Sequence, residues 1–159
     1  MKRPWNIIDS PIYSLQTTDK KGKVNMNICT YVTAISMNPK LYAIAIDFNT
    51  NTYLNVENSE FVNLQILCKD QILLVKKFGK KSGIKFNKDK FLRDNNLLTN
   101  WNDSEVLNGL SALIKLKKKS CFKTNGDHAL YIFKVEKFKT FSEDNILTFQ
   151  DLVKNKIIL

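Results

Sequence analysis

The sequence predicts a mostly β protein, an antiparallel barrel of about six strands with two or three short helices at its periphery. Three observations carry that expectation. Apolar, β-branched and aromatic runs of strand length recur at residues 12–18, 24–36, 41–46, 60–67, 112–117 and 129–138. Short turns, rather than helices at regular intervals, join most of these runs, which argues against a doubly wound sheet. No linker long or polar enough to divide the chain into separate domains interrupts the 159 residues, and no internal repeat is present, so one domain over residues 1–159 is expected.

Each element has a local reason. Ile12-Tyr13-Ser14-Leu15-Gln16-Thr17-Thr18 is rich in β-formers, and Asp19-Lys20-Lys21-Gly22-Lys23 after it is a polar turn with a glycine suited to positive φ. From Val24 to Ser36 no helix-start signal appears before Pro39, which predicts one long strand. Leu41 to Ile46 is apolar throughout, as in a strand covered on both faces, and Asp47 to Thr52 is a polar loop. Asn51 or Thr52 is the expected cap of a brief helix through Val56. Alternation over Glu60–Leu67 predicts a half-buried strand. Asp70 opens a helix whose apolar positions Ile72, Leu73, Val75 and Phe78 lead to Gly79. Residues 79–105 read as loops, Lys80-Lys81-Ser82-Gly83 and Asp94-Asn95-Asn96, around a short piece containing Phe86 and Phe91. Ala112, Ile114 and Leu116 alternate with Leu113, Lys115 and Lys117, Asn125-Gly126-Asp127 is a turn signal, and Ala129 to Phe138 is the last strand. Thr148, with Asp151 in the capping-box position, opens a final helix to Lys154.

Composition narrows the functions. With 43% hydrophobic and 11% aromatic residues the chain has the apolar material for a core, and its longest apolar runs fall far short of a bilayer span, so a soluble protein without membrane association is expected. The basic Lys2 and Arg3 are followed by a short apolar stretch that Asp9 and Pro11 stop before a signal-peptide core forms. Cys29, Cys68 and Cys121 are odd in number and widely spaced, which suits a reducing cytoplasm rather than a disulfide framework or zinc site. The formal net charge of +10 invites a nucleic-acid reading, but of 25 basic residues only Arg3 and Arg93 are arginine, the residue that base-edge and bidentate phosphate recognition favour. Solvated lysine faces are the preferred account, with a nucleic-acid-binding barrel as the weaker alternative.

Much chemistry is missing. No dinucleotide-fold glycine motif, Walker loop or nucleophile elbow occurs, and five glycines leave little for a glycine-rich phosphate loop. His128 is the sole histidine, which excludes multi-histidine metal sites, and no carboxylate cluster has ligand spacing. What remains is a barrel whose loops carry amide and hydroxyl side chains, groups that bind an organic cofactor without titratable catalysts of their own.

Four pieces in order carry a resemblance. They are the stretch Asn25 to Pro39, the loop Asn49-Thr50-Asn51-Thr52 followed by Glu60-Phe61-Val62-Asn63, the pair Ser82-Gly83 with Asp89-Lys90-Phe91, and Gly126-Asp127-His128 opening an apolar strand. Together they resemble the flavin reductase-like, FMN-binding split-barrel family over roughly residues 10–140. The chain departs from many relatives in having Tyr31 where they have tryptophan, and Asp47-Phe48-Asn49 near a loop that in them carries a basic residue.

The resemblance implies a six-stranded antiparallel split barrel that forms a homodimer with FMN in a cleft at or near the interface. It implies NADH or NADPH as reductant, hydride transfer to flavin N5 and a downstream electron acceptor. The cofactor contacts it implies are Asn27, Ile28, Cys29, Thr30, Tyr31, Asp47, Asn49, Thr50, Asn51, Thr52 and Asn63, with the loop at 49–52 on the phosphate. His128 would position the pyridine nucleotide or the flavin edge. Read without the family, Thr30 is equally a β-former, Asn63 an outward position of an alternating strand, Thr52 a helix cap and His128 a turn residue. A flavin-binding electron carrier or store without nicotinamide turnover is the alternative function.

Overall fold

In the computed structural model, which describes residues 3–79, 81 and 83–158, seven strands form one antiparallel sheet. Lys2, Lys80 and Ser82, each included in a sequence expectation, lie outside the described residues. The strands are β1 (Tyr13–Thr18), β2 (Val24–Met26), β3 (Val32–Met37), β4 (Lys40–Asp47), β5 (Phe61–Ile66), β8 (Ala112–Lys123) and β9 (His128–Thr140). Their order is β2-β1-β5-β8-β9-β4-β3. A separate hairpin, β6 (Leu98–Trp101) and β7 (Ser104–Leu107), covers one face.

The main sheet has seven strands rather than six because the expected long strand over 24–36 is two strands at opposite sheet edges. Asn27 causes the break. Its Oδ1 accepts the Leu15 N–H at 2.9 Å in place of a backbone carbonyl, while its own N–H reaches the Leu15 carbonyl at 3.4 Å, so the regular ladder with β1 ends here. The segment 27–31 then crosses between the edges: Cys29 bridges Tyr13 through a pair of backbone bonds, and the Tyr31 carbonyl accepts Ala45 N–H at 3.0 Å. A few bonds along this crossing, instead of a continuous ladder, bring the two ends of the sheet together.

Alternation along β1 and β5 separates two environments. Leu15, Val62 and Leu64 face an interior shared with Ile44, Ile114, Leu116, Tyr131 and Phe133. On the other face Ser14, Gln16, Asn63 and Gln65 are buried polar residues, and Gln65 Oε1 accepts the Leu107 N–H at 2.8 Å from the overlying hairpin. A second apolar cluster, including Met26, Val75, Phe78, Leu92, Leu113 and Leu147, packs under the helices.

Among the described residues four α-helices flank the sheet: α1 (Asn51–Glu57), α2 (Ile72–Gly79), α3 (Lys88–Asp94) and α4 (Phe149–Lys154). The α1 cap is Thr50, one residue before the two expected; its hydroxyl accepts Tyr53 N–H at 3.1 Å. At the other end Lys118 Nζ donates to the carbonyls of Val56 and Glu57 at 2.6 and 3.0 Å, and the Tyr131 hydroxyl donates to Glu57. The capping box of α4 forms from Thr148 and Asp151 as the sequence predicts.

Two further elements depart from expectation. The hairpin β6–β7 occupies some of the span read as irregular, turning at Asn102, whose φ of 51° is the left-handed conformation that asparagine tolerates. Strand β8 continues to Lys123, beyond the expected end at 117, because β9 pairs with it along residues where burial has stopped. No helix among the described residues is long and apolar enough to cross a membrane.

Candidate functional site

A cleft of about 570 Å³ opens where the crossing segment 27–31 passes the end of β4. Asn27, Ile28, Cys29, Thr30 and Tyr31 line one side. Asp47 and the residues after it, Asn49, Thr50, Asn51 and Thr52, continue that wall into α1. His128, first residue of β9, lies opposite Asp47 in the sheet register and completes the wall. Of the residues the sequence singled out, Asn63 alone lies outside this lining. It is 3% exposed within the sheet, where its Nδ2 donates to Gln16 Oε1 at 2.7 Å and its Oδ1 has no partner.

Most polar groups of this wall are held by the protein itself. Asp47 Oδ1 accepts Asn49 N–H at 2.8 Å. The Thr50 hydroxyl donates to the Asp47 carbonyl at 2.7 Å while capping α1, so it is committed in both directions. Thr52 is buried, and its hydroxyl accepts from Asn25 Nδ2 at 3.0 Å. Asn55 ties the same helix to Thr17 at 3.0 Å. The loop is therefore rigid as a consequence of buried amides beneath it.

His128 is oriented from two directions. Its Nδ1 lies 2.5 Å from Asp127 Oδ1, and Tyr31 presents a T-shaped contact with centroids 5.3 Å apart. The imidazole in turn holds the Asp127 carboxyl below the usual carboxylate range. Burial pushes the Cys29 thiol up to about 12, so Cys29 is an apolar wall rather than a nucleophile.

The opposite side comes from Phe78 and Gly79 at the end of α2, from Lys81 and Gly83, and from Lys88 at the start of α3. Gly83 is needed for close approach: a Cβ there would stand 2.5 Å from Asn25 Oδ1 and 3.2 Å from Asn51 Cβ. Sequence reasoning did not single out Asn25, Phe78, Lys81 or Lys88 for the site. Asn25 opens the stretch 25–39 that carries part of the family resemblance, but Lys88 carries no local signal in a chain so rich in lysine. Among the described residues no cluster of histidine, cysteine or carboxylate side chains could hold a metal ion.

The structure is a split antiparallel barrel whose seam opens into a cleft lined by amide and hydroxyl side chains, with Asp47, His128, Lys81 and Lys88 among them. Residues 7–155 match the model of the flavin reductase like domain, and the chain belongs to that family. Solved structures with the same fold include the flavin reductase of styrene monooxygenase from Pseudomonas putida S12, 17% identical, with a TM-score of 0.77 over 91% of this chain and 88% of that one. The FMN-binding protein of Thermus thermophilus is 17% identical, with a TM-score of 0.75 over 88% and 75% of the two chains. The NADH:FAD oxidoreductase of Streptomyces globisporus C-1027, solved with NAD and FAD fragments, is 13% identical, with a TM-score of 0.78 over 92% and 84%. Comparison with curated protein sequences gave no significant match.

Proposed function

We propose that this protein is an FMN-binding, NAD(P)H-dependent flavin reductase that works as a homodimer in the cytoplasm and hands electrons to a separate acceptor. The observation carrying this reading is the convergence in one cleft of every family-implied contact except Asn63. The donor set suits the ligand. Thr30, Asn49 and Asn51 bring neutral polar side chains for a ring edge and a hydroxylated chain, while Lys81 and Lys88 add positive charge. The one carboxylate in the lining, Asp47, is turned to a backbone N–H.

When bound, the flavin supplies the redox chemistry, taking up a hydride from a reduced nicotinamide. The protein's own role is alignment. The segment 27–31 provides a backbone wall with the apolar Ile28 and Cys29, and Tyr31 with His128 forms an aromatic rim where a second ring can be laid against the first. Asp127 keeps His128 turned in one direction. Exposed apolar residues along the β3 edge and the outer β8–β9 hairpin, among them Ile35, Met37 at 83% exposure and Phe138 at 74%, support a twofold partner.

The visible spectrum of the purified protein, with release and identification of any flavin, tests the cofactor. Anaerobic bleaching of the flavin band by NADH or NADPH tests the activity. A yellow protein that neither nucleotide reduces, but that a partner protein reduces rapidly, makes it a flavin-binding electron carrier instead. Light scattering at micromolar concentration tests the dimer, and a monomer with stoichiometric FMN removes it.

A further inference from the structure

The cleft contains a positive charge that no carboxylate offsets. Lys88 is 6% exposed and lines the cleft, and among the described residues it forms no ion pair. Its neighbour Asp89 is turned away, accepting Val24 N–H at 2.9 Å and pairing with Arg93 at 3.1 Å. Among the described residues Lys88 Nζ makes one hydrogen bond, 2.7 Å to the Met26 carbonyl, and stands 5.0 Å from the centre of the Phe78 ring. An ammonium has three N–H donors, so two are left for something else.

A buried cation without a counter-ion is costly and is retained only where something compensates it. Burial pushes the Lys88 ammonium down to about 8, because its surroundings solvate the charge poorly. The compensating group is not supplied by the loop across the cleft, because the Thr50 hydroxyl is spent on its cap and the Thr52 hydroxyl is engaged by Asn25. Lys88 also stands where two cavities meet. A second cleft of about 560 Å³ shares Asn25, Asn51, Gly83 and Lys88 with the first.

We propose that Lys88 is the counter-charge of an anion subsite for a phosphate ester, aimed from the α3 side of the cleft at the ligand's phosphate. This deepens the flavin reading and rests on it for the identity of the ligand. The unpaired ammonium makes the empty protein less stable and makes binding selective for phosphorylated flavin.

The test is a set of fluorescence-quenching titrations of FMN and riboflavin against wild type, Lys88→Met and Lys88→Arg, with melting of each apoprotein. Methionine keeps the length and the contact with Phe78 while removing the charge. Lys88→Met should weaken FMN binding by about tenfold or more, since hydrogen bonds to a charged group are at stake. Riboflavin should change by no more than about twofold, Lys88→Arg should keep most of the FMN affinity, and the Lys88→Met apoprotein should melt no lower than wild type. Unchanged FMN binding in Lys88→Met, or equal loss of FMN and riboflavin, overturns the proposal. If wild type binds neither flavin, the flavin reading itself has failed. The subsite is then judged on inorganic pyrophosphate: thermal stabilisation that Lys88→Met abolishes sustains it, and equal stabilisation of both proteins ends it.

Discussion

The wall of the cleft built from residues 27–31, 45–52 and 128 has many of its polar groups bonded to the protein itself, whereas the facing wall, from Phe78, Gly79, Lys81, Gly83 and Lys88, carries two lysines. In the first, Asn27, Asp47, Thr50, Thr52 and His128 each hold or are held by a named protein partner. In the second, Gly83 is present for lack of a side chain, and Lys88 has one bond to a carbonyl. Where such groups are already bonded the wall gives shape, because those groups cannot turn to follow a ligand. A wall with a desolvated, unpaired charge gives affinity and discrimination, because the ligand completes what the protein left open. Recognition of shape and recognition of charge thus reside on different elements.

The difference can be tested by perturbing one wall at a time. The largest effect lies in the pH dependence of stability contributed by Lys88. Below about pH 8 its ammonium is charged in both folded and unfolded chains, and the folded state bears the whole desolvation cost. Between about 8 and the ordinary value of 10.5 the unfolded chain binds more protons, so stability rises with pH. The melting temperature of Lys88→Met relative to wild type should therefore be most favourable below pH 8 and lose its advantage as pH approaches 10.5. The pH-dependent component of the gap is at most about 3 kcal/mol. Lys81, Asp47 and His128 in the same lining, and Asp89 beside Lys88, are common to both proteins and cancel. A gap that does not vary with pH contradicts the picture of a desolvated ammonium.

Next in size is Gly83→Ala. The added carbon meets Asn25 Oδ1 at 2.5 Å, and Asn25 is buried and bonded to Thr52, so it cannot swing clear without breaking that bond. Overpacking of this kind costs about 1–3 kcal/mol, and chemical denaturation should show it. Because the displaced amide supports the loop, FMN and riboflavin affinity should fall together. An alanine variant as stable as wild type removes Gly83 as the element that seats one wall on the other.

Thr50→Val touches only the neutral wall. Removing the cap costs about 1 kcal/mol of stability, read from the denaturation midpoint. It should weaken FMN and riboflavin alike, in contrast to Lys88→Met, which should separate them. Selective loss of FMN in Thr50→Val would assign the phosphate to this hydroxyl rather than to the lysine. Smallest is Lys90→Ala, which breaks an exposed pair with Asp94 at 2.6 Å on the outward side of α3 and should alter stability by less than about 1 kcal/mol.

Much of the scaffold could be read locally. The strands near 12–18, 41–46 and 60–67, the Asn125-Gly126-Asp127 turn and the Thr148–Asp151 capping box are signals written within a few residues, and the structure forms them there. The break in 24–36 could not be read in that way. Asn27 ends a strand only because Leu15, twelve positions earlier, offers its N–H at the right place. The hairpin at 98–107 was obscured by the polar Asn100, Asn102 and Asp103, though Asn102 at a hairpin turn is a signal that could have been used.

For the site, the residues that carry the family's pattern do converge on one cleft, which their types and order anticipated, with Asn63 drawn instead into the polar layer between the two apolar clusters. The sequence by itself determined the β-rich character, the turns and caps, and the neutral wall, because each depends on backbone preference and side-chain chemistry over short stretches. Only the tertiary structure decided that Lys88, alone among the lysines of the described residues, is buried. That outcome depends on α3 packing against β2, 62 residues away in the chain, where the Met26 carbonyl and the Phe78 ring receive the ammonium. Burial is a property of the packed whole, and the electrostatic character of a lysine follows from burial rather than from its neighbours in sequence.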